Sequence, residues 1–297
     1  MRKDIFLPGL AVGCGILGFG LRWWQWSAGY DPETQLFLAG HPAFYALLLL
    51  AAAGTALLLL ALRGIPRAVQ EANPFRCPSP IYITVMTAAA LLFLAAGALG
   101  LLEGISQLSL WRAAPDSHPL TYPAALLLCA LLAFPAGAAA LLLGRSGYRG
   151  EPSPALPLLV NFPPLSALAW VFASHLVSGT DPILLRYGVA LAAAVFLLLA
   201  HYYVAAFFHE QPHPFRAAFT ALVGAALGLT ALADRPALFQ CAMTGACVLS
   251  ALANTWVLLR NTYGPPWQER PPEERMPFRA WEENGPAGAA DNDDDIF

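Results

Sequence analysis

Eight runs of about 20 apolar residues follow one another along the chain, and each is long enough for a helix to cross a membrane. A helix rises about 1.5 Å per residue, so about 20 residues span a hydrocarbon core of about 30 Å. The runs are rich in Leu and Ala without alternation of period two, and backbone in lipid must satisfy its own hydrogen bonds. The sequence therefore predicts an all-α, polytopic transmembrane helical bundle. The predicted spans are 5–24, 42–62, 81–102, 122–143, 158–177, 183–207, 215–233 and 237–259.

Composition supports a membrane protein. Hydrophobic residues make up 58% of the chain and charged residues 12%, about half the charged share of a soluble domain. The first run follows Arg2 and Lys3 as in a secretion signal, but it ends in Arg22, Trp23 and Trp24, which are typical interfacial anchors. We interpret it as a retained first span.

The distribution of Lys and Arg between spans predicts the orientation. With the N-terminus inside, the inner segments hold Arg2, Lys3, Arg63, Arg67, Arg76, Arg145, Arg149, Arg216, Arg260, Arg270, Arg275 and Arg279. The outer segments hold Arg22, Arg112, Arg186 and Arg235. Because cytoplasmic loops carry the excess of basic residues, we predict that both termini are cytoplasmic.

The last part of the chain differs in character from the transmembrane domain, 1–264. Residues 265–297 are rich in Pro and charge and end in an acidic run, a composition that buries too little apolar surface to order itself. We predict a disordered cytoplasmic tail. It is either simply solvated or a docking segment for a partner.

The string H-E-x-x-H at His209, Glu210 and His213 resembles the zinc site of metalloproteases. That site needs both histidines on one continuous helix, one turn apart. Pro212 pushes the preceding residue out of the helical region, so we expect the helix to end near Glu210 and the histidines to flank an inner turn. A turn is the favoured interpretation; a pH-sensitive or weakly metal-binding turn is the alternative.

Polar residues within the spans are the other candidates for a site. Asn161, His201 and Asn254 are predicted at similar depths from the cytoplasmic side, with Tyr202 or Tyr203 alongside. Together they would form a polar cluster able to bind a solute, an ion or a lipid headgroup. The alternative is that they join helices through hydrogen bonds.

A second polar group is predicted near the outer face, where snorkelling or pairing at helix ends is the ordinary interpretation. Its members are Arg22, Glu103, His175, Asp181 and Arg186.

Small residues and cysteines are predicted to serve packing. Three G-x-x-x-G pairs permit close helix approach and leave homo-oligomerisation open. They are Gly9 with Gly13, Gly100 with Gly104, and Gly224 with Gly228. The five cysteines form no C-x-x-C pair and are predicted to be reduced.

Several motifs are absent from the sequence. It contains no phosphate-binding loop, no dinucleotide fingerprint, no G-x-S-x-G and no haem-attachment motif, and no basic patch suited to nucleic acid. We therefore predict no cofactor. The expected partners are the lipid bilayer and either further copies of the chain or another membrane protein.

The stretch GLRWWQWSAGYDPETQLFLAGHPAFYALLL combines an aromatic span end, a D-P-E-T turn and a G-H-P helix start. In these features, mainly over residues 19–50, it resembles a group of uncharacterised multi-pass bacterial membrane proteins. The resemblance implies a multi-pass fold in a bacterial inner membrane and no particular activity.

Two functional hypotheses follow. A transport or permeation component is the first, and it predicts a water-accessible cavity reaching His201 and Asn254. A non-catalytic scaffold or sensor that docks partners through its tail is the second, and it predicts a solid bundle. A membrane-embedded enzyme ranks third, because it requires His209 or His213 to converge with further ligands.

Overall fold

The computed structural model describes residues 2–65, 74–115, 120–151, 153–178, 184–264 and 267, without the side chains of 177, 178 and 184–186. Nine α-helices lie in these ranges. They are α1 (Lys3–Ala28), α2 (Pro42–Ala61), α3 (Pro80–Ala113), α4 (Thr121–Arg149), α5 (Leu156–Leu159), α6 (Phe162–Ser178), α7 (Leu184–Phe207), α8 (Pro214–Ala231) and α9 (Leu238–Tyr263). A 3-10 turn, Leu232–Asp234, follows α8, and two short strands, β1 (Tyr30–Asp31) and β2 (Leu36–Phe37), follow α1.

Eight helical segments in the described ranges are long and apolar enough to cross a membrane, with α5 and most of α6 together forming the fifth. The prediction of an all-α bundle with eight spans is confirmed. The chain is a multi-pass integral membrane protein. The proposed tail, 265–297, lies outside the described residues apart from Trp267.

Several helices start at a proline. Pro42, Pro80 and Pro214 occupy the first turns of α2, α3 and α8, where a missing backbone N–H costs nothing. His41 and Ser79 cap the first two of these helices by accepting backbone N–H groups at 3.3 Å. Two helices also extend beyond the predicted spans: α3 continues to Ala113 and α4 to Arg149.

The bundle has a buried centre and a loosely attached edge. Around the centre, each of the helices α3, α4, α6, α7 and α8 packs against the next one in this order, and α9 packs against α3, α8 and α1. In α9, 72% of the apolar window is buried, whereas in α2 the share is 17%. Helix α2 packs mainly on α1, with a smaller contact to α8. It is therefore the peripheral helix.

The two ends of the bundle carry different structures. At the terminal end, the Lys3 ammonium lies 4.7 Å from the centre of the Tyr263 ring, so α1 begins where α9 ends. Cys77 is also buried at this end, outside the spans, and burial raises the pKa of its thiol. The other end, which we call the hairpin end, holds the strands β1 and β2.

The hairpin contains the D-P-E-T turn. Tyr30 pairs with Phe37 in antiparallel register, and the Asp31 carboxylate accepts from the Thr34 hydroxyl at 2.7 Å and the Glu33 backbone N–H at 3.0 Å. The Thr34 hydrogen bond, followed by that of Glu33, lowers the pKa of the exposed Asp31 carboxyl. The turn motif is therefore an Asp-centred turn closed by its own side chain.

The G-x-x-x-G pairs do not all serve the same purpose. A β-carbon at Gly100 would lie 3.1 Å from Ala130 of α4, and one at Gly228 would lie 2.8 Å from Val248 of α9. At Gly9 and Gly13 it would meet no atom within 4 Å. Two pairs therefore allow close helix packing, whereas the pair on α1 faces open space. All five cysteines are free.

Candidate functional site

A buried ion pair joins α1 to the turn after α8 at the hairpin end. The Arg22 Nε donates to Asp234 Oδ1 at 2.6 Å, and Arg22 Nη1 donates to Gln25 Oε1 at 2.7 Å. Trp26 Nε1 also donates to Asp234 Oδ1, at 2.7 Å. Arg22 is 1% exposed, so it does not snorkel to the surface but lies inside the bundle. A charge this deeply buried requires such a partner.

Close packing of α1 against α8 brings the pair together. A β-carbon at Gly15 would lie 2.7 Å from Leu229, and one at Gly18 would overlap the Thr230 hydroxyl. The backbones approach because both positions lack a side chain. The 3-10 turn then ends at Arg235, whose φ of 53° reverses the chain and leaves Asp234 facing α1.

An apolar groove of about 760 Å³ opens beside this pair. Its walls are α2 and α7 and its floor is α1 and α8, with Ala51, Ala192 and Leu227 among the lining residues. Arg22 and Gln25 form its polar end, nearest the hairpin. The groove exists because α2 is held mainly by α1 and leaves space towards α7.

The candidate cluster inside the spans is only partly assembled. His201 and Asn254 line one small cavity, but Tyr202 is 54% exposed and contacts Tyr203 edge-on. Asn161 lies apart, where its amide donates to the Pro157 carbonyl at 2.8 Å. Of these candidates, the structure brings only His201 and Asn254 to one cavity, because Tyr202 projects outward on α7 and Asn161 lies in the turn before α6.

The two members that meet in the interior are already satisfied. His201 Nδ1 lies 2.7 Å from the Leu197 carbonyl oxygen and Nε2 lies 2.8 Å from Ser250 Oγ. The Tyr82 hydroxyl donates to Asn254 Oδ1 at 2.9 Å. The cavity beside them is about 20 Å³, room for one water molecule. This geometry does not match the water-accessible cavity expected at His201 and Asn254, and it favours helix joining.

The H-E-x-x-H string does not lie on one helix. Helix α7 ends at Phe207, α8 begins at Pro214, and Glu210 has a φ of 59° in the turn between them. His209 Nε2 lies 3.2 Å from the Asn161 amide nitrogen, whereas the His213 ring packs edge-on against Tyr203 at 6.0 Å. Within the described ranges, no group of three or more His, Cys, Asp or Glu is arranged to hold a metal ion.

Of the remaining outer candidates, the structure describes the surroundings of Glu103 and His175. Glu103 accepts from Gln107 one turn along α3 at 2.9 Å, and His175 is exposed near the end of α6. Asp181 lies outside the described residues, as does the side chain of Arg186.

Sequence reasoning missed the partners of Arg22. Asp234 reads as an ordinary turn residue before Pro236, and Gln25 and Trp26 read as interfacial residues. One signal in the sequence could have indicated Asp234: it carries the opposite charge to Arg22 and, like Arg22, lies at the outer end of a predicted span. Sequence spacing alone does not show which two of eight spans are neighbours.

The site thus defines a class: a multi-pass integral membrane protein with a lateral apolar groove closed at one end by a buried ion pair. No family model, curated protein or solved structure matches the chain.

Proposed function

We propose that this integral membrane protein is a transport component that binds a membrane lipid through its lateral groove. The observation that carries the proposal is the groove itself, about 760 Å³ of almost wholly apolar space between α2 and α7. Pockets of this size accommodate a substantial ligand, and the lining chemistry selects an apolar one.

The dimensions of the groove support a lipid acyl chain as the occupant. Its lining extends from Cys14 to Gln25 on α1, about 16 Å at 1.5 Å per residue, and from Phe44 to Leu58 on α2, about 21 Å. One leaflet of a bilayer contributes about 15 Å of hydrocarbon. A chain lying in the groove therefore spans one leaflet, with its polar end near the hairpin.

The peripheral position of α2 supplies a route for entry. Only Ala43, Gly54 and Leu58 are buried on this 20-residue helix. Little packing free energy opposes a movement of α2 away from α7, and the surrounding lipid has direct access to the gap. In the proposed orientation, with both termini cytoplasmic, the lipid enters from the outer leaflet of a bacterial inner membrane.

The binding part of the proposal is tested by filling the groove. Ala192 lines it on α7, so Ala192→Trp occupies the space of the acyl chain. The matched control is Ala88→Trp, at an exposed position on α3 outside the groove. Native mass spectrometry from nanodiscs of phosphatidylglycerol and phosphatidylethanolamine should show a retained lipid in the wild type and control but not in Ala192→Trp. Equal lipid retention in all three proteins would overturn the groove as the binding site.

The transport part needs movement of α2, and the chain provides a crosslink to block it. A β-carbon at Gly54 would lie 3.3 Å from the Cys14 sulfur, close to the separation found in disulfides. Gly54→Cys should therefore form a reducible bond between α1 and α2. We expect exchange of a fluorescent phospholipid between leaflets of proteoliposomes to stop on oxidation and to resume on reduction. Gly54→Ala, treated identically, should not respond to oxidant.

The tests separate binding from transport. A retained lipid without any exchange in the wild type would leave a lipid-binding protein and exclude the carrier. The scaffold alternative depends on residues 265–297, and of this segment the structure describes only Trp267. The enzyme alternative loses support because His209 and His213 have different neighbours.

A further inference from the structure

A third cavity, besides the groove and the small cavity at His201, lies beside Asp234 of the ion pair. It has a volume of about 160 Å³ and is lined by residues of α6, α7, the turn after α8 and the start of α9. In contrast to the groove, it presents an indole, a carboxylate, an amide and three hydroxyl-bearing side chains. These belong to Trp170, Asp234, Gln240, Ser174, Tyr187 and Thr244.

Two of these side chains carry unpaired polar atoms. Trp170 Nε1 and Asp234 Oδ2 are the buried side-chain nitrogen and oxygen atoms that lack a hydrogen-bond partner among the described residues. Trp170 is 4% exposed, so its N–H has no access to bulk solvent. Buried polar groups are almost always paired, and an unpaired one destabilises the fold. The cavity is therefore lined by one unused hydrogen-bond donor and one unused acceptor.

We propose that this cavity binds a small uncharged solute that carries both a hydrogen-bond donor and an acceptor, such as a primary amide or a hydroxyl compound. The Trp170 indole can only donate, so it requires an acceptor on the ligand. The carboxylate oxygen of Asp234 can only accept, so it requires a donor.

The charge balance of the site selects against a cation. The negative charge of Asp234 is already matched by Arg22 at 2.6 Å. A cationic ligand would bring an uncompensated charge into an interior site, which is costly. An apolar ligand would leave both Trp170 Nε1 and Asp234 Oδ2 unpaired. The volume is close to that of an engineered cavity of about 150 Å³ that admits benzene, so the ligand has about six non-hydrogen atoms or fewer.

The indole N–H provides a direct readout. Nitrogen-15 labelling of the tryptophan indoles gives one signal for each of the 8 Trp residues, and Trp170→Phe identifies the signal of interest. The protein in nanodiscs is titrated with acetamide and ethylene glycol as donor–acceptor probes, and with ethylammonium chloride and benzene as the cationic and apolar probes. We expect a saturable shift of the Trp170 signal with acetamide or ethylene glycol, at least tenfold tighter than with either of the other probes.

A cavity-filling variant shows where the probe binds. Ala190 lines the cavity, so Ala190→Leu should abolish the saturable shift, whereas the exposed control Ala88→Leu should retain it. Ala192→Trp, in the groove, should also retain it, so failure of the lipid proposal leaves this one intact. Equal shifts with benzene or ethylammonium, or no saturable shift with any probe, would overturn the assignment and leave a cavity filled by water.

Discussion

The Arg22–Asp234 pair should dominate the stability of the hairpin end. The effect of removing the pair on the unfolding free energy can be calculated from the structure. The charged atoms are 2.6 Å apart, which at an effective dielectric constant of about 20 gives a gross attraction of about 6 kcal/mol. Desolvation of both charges offsets much of this attraction. Removal of one partner nevertheless leaves the other buried without its counter-charge, and we expect each single variant to lose about 3–5 kcal/mol of unfolding free energy.

A double-mutant cycle isolates the coupling. The variants are Arg22→Met, Asp234→Leu and the two together, each filling a similar volume. Because Arg22 is 1% exposed, the double variant exchanges a buried pair for apolar contacts, and such exchanges are often neutral or stabilising. The unfolding free energy in mixed micelles should therefore fall in both single variants and recover in part in the double variant, whose loss is smaller than the sum of the two single losses. The recovery is partial because Gln25 and Trp26 lose the hydrogen bonds that they make to the pair.

The cycle also discriminates this arrangement from an interfacial charge that snorkels. An exposed pair contributes about 0–1 kcal/mol, and its loss is additive. Single variants that each cost less than about 1 kcal/mol, without recovery in the double variant, would refute the buried geometry.

Three further results are expected. Gly147→Ala should lower the unfolding free energy by about 1–3 kcal/mol, because its β-carbon would lie 2.5 Å from the Phe75 carbonyl oxygen and 2.8 Å from the Tyr82 ring. Gly13→Ala, in open space within α1, should leave it unchanged or raise it by up to about 1 kcal/mol in the same thermal or denaturant assay. Tyr82→Phe should cost about 0.6–2 kcal/mol, and Asn254→Ala should cost less in the Tyr82→Phe background than in wild type, as measured by a second cycle. The stability that the Asp31 carboxylate gives the hairpin is present above the ordinary pKa of 3.8 and is lost as pH falls through the lowered pKa of the folded state. Carbon-13 NMR of the Asp31 carboxyl should show this lowered pKa. Asp31→Asn should abolish the pH dependence of hairpin stability.

The fold was largely predictable because the membrane imposes one strong rule. A run of about 20 apolar residues has few alternatives to a helix in lipid, and Pro42, Pro80 and Pro214 mark helix starts. The fifth span, predicted as one run over 158–177, breaks near Asn161, and Pro163 and Pro164 lie in the first turn of α6 after the break.

The candidate site was less predictable because it depends on which spans are neighbours and on helical phase. His201 and Tyr202 are consecutive, yet one is 4% exposed and the other 54%. Depth along a span, the quantity that the sequence provides, does not determine direction around the helix axis. Arg22 and Asp234 are separated by 212 residues, and only the packing of α1 on α8 brings them together.

The two proposed sites share a wall, and this has an energetic consequence. Arg22 lines the groove, Asp234 lines the polar cavity, and Leu191 lines both. A ligand in either site therefore lies beside one member of the same ion pair. Any change in the pair that accompanies lipid binding should alter the affinity for acetamide, and reciprocity requires acetamide to alter the lipid affinity by the same factor. We expect the acetamide affinities of two nanodisc samples, the lipid-bound wild type and the lipid-free Ala192→Trp, to differ by a factor of about two or more. Identical affinities would show that the ion pair is a rigid partition and that the two sites are independent.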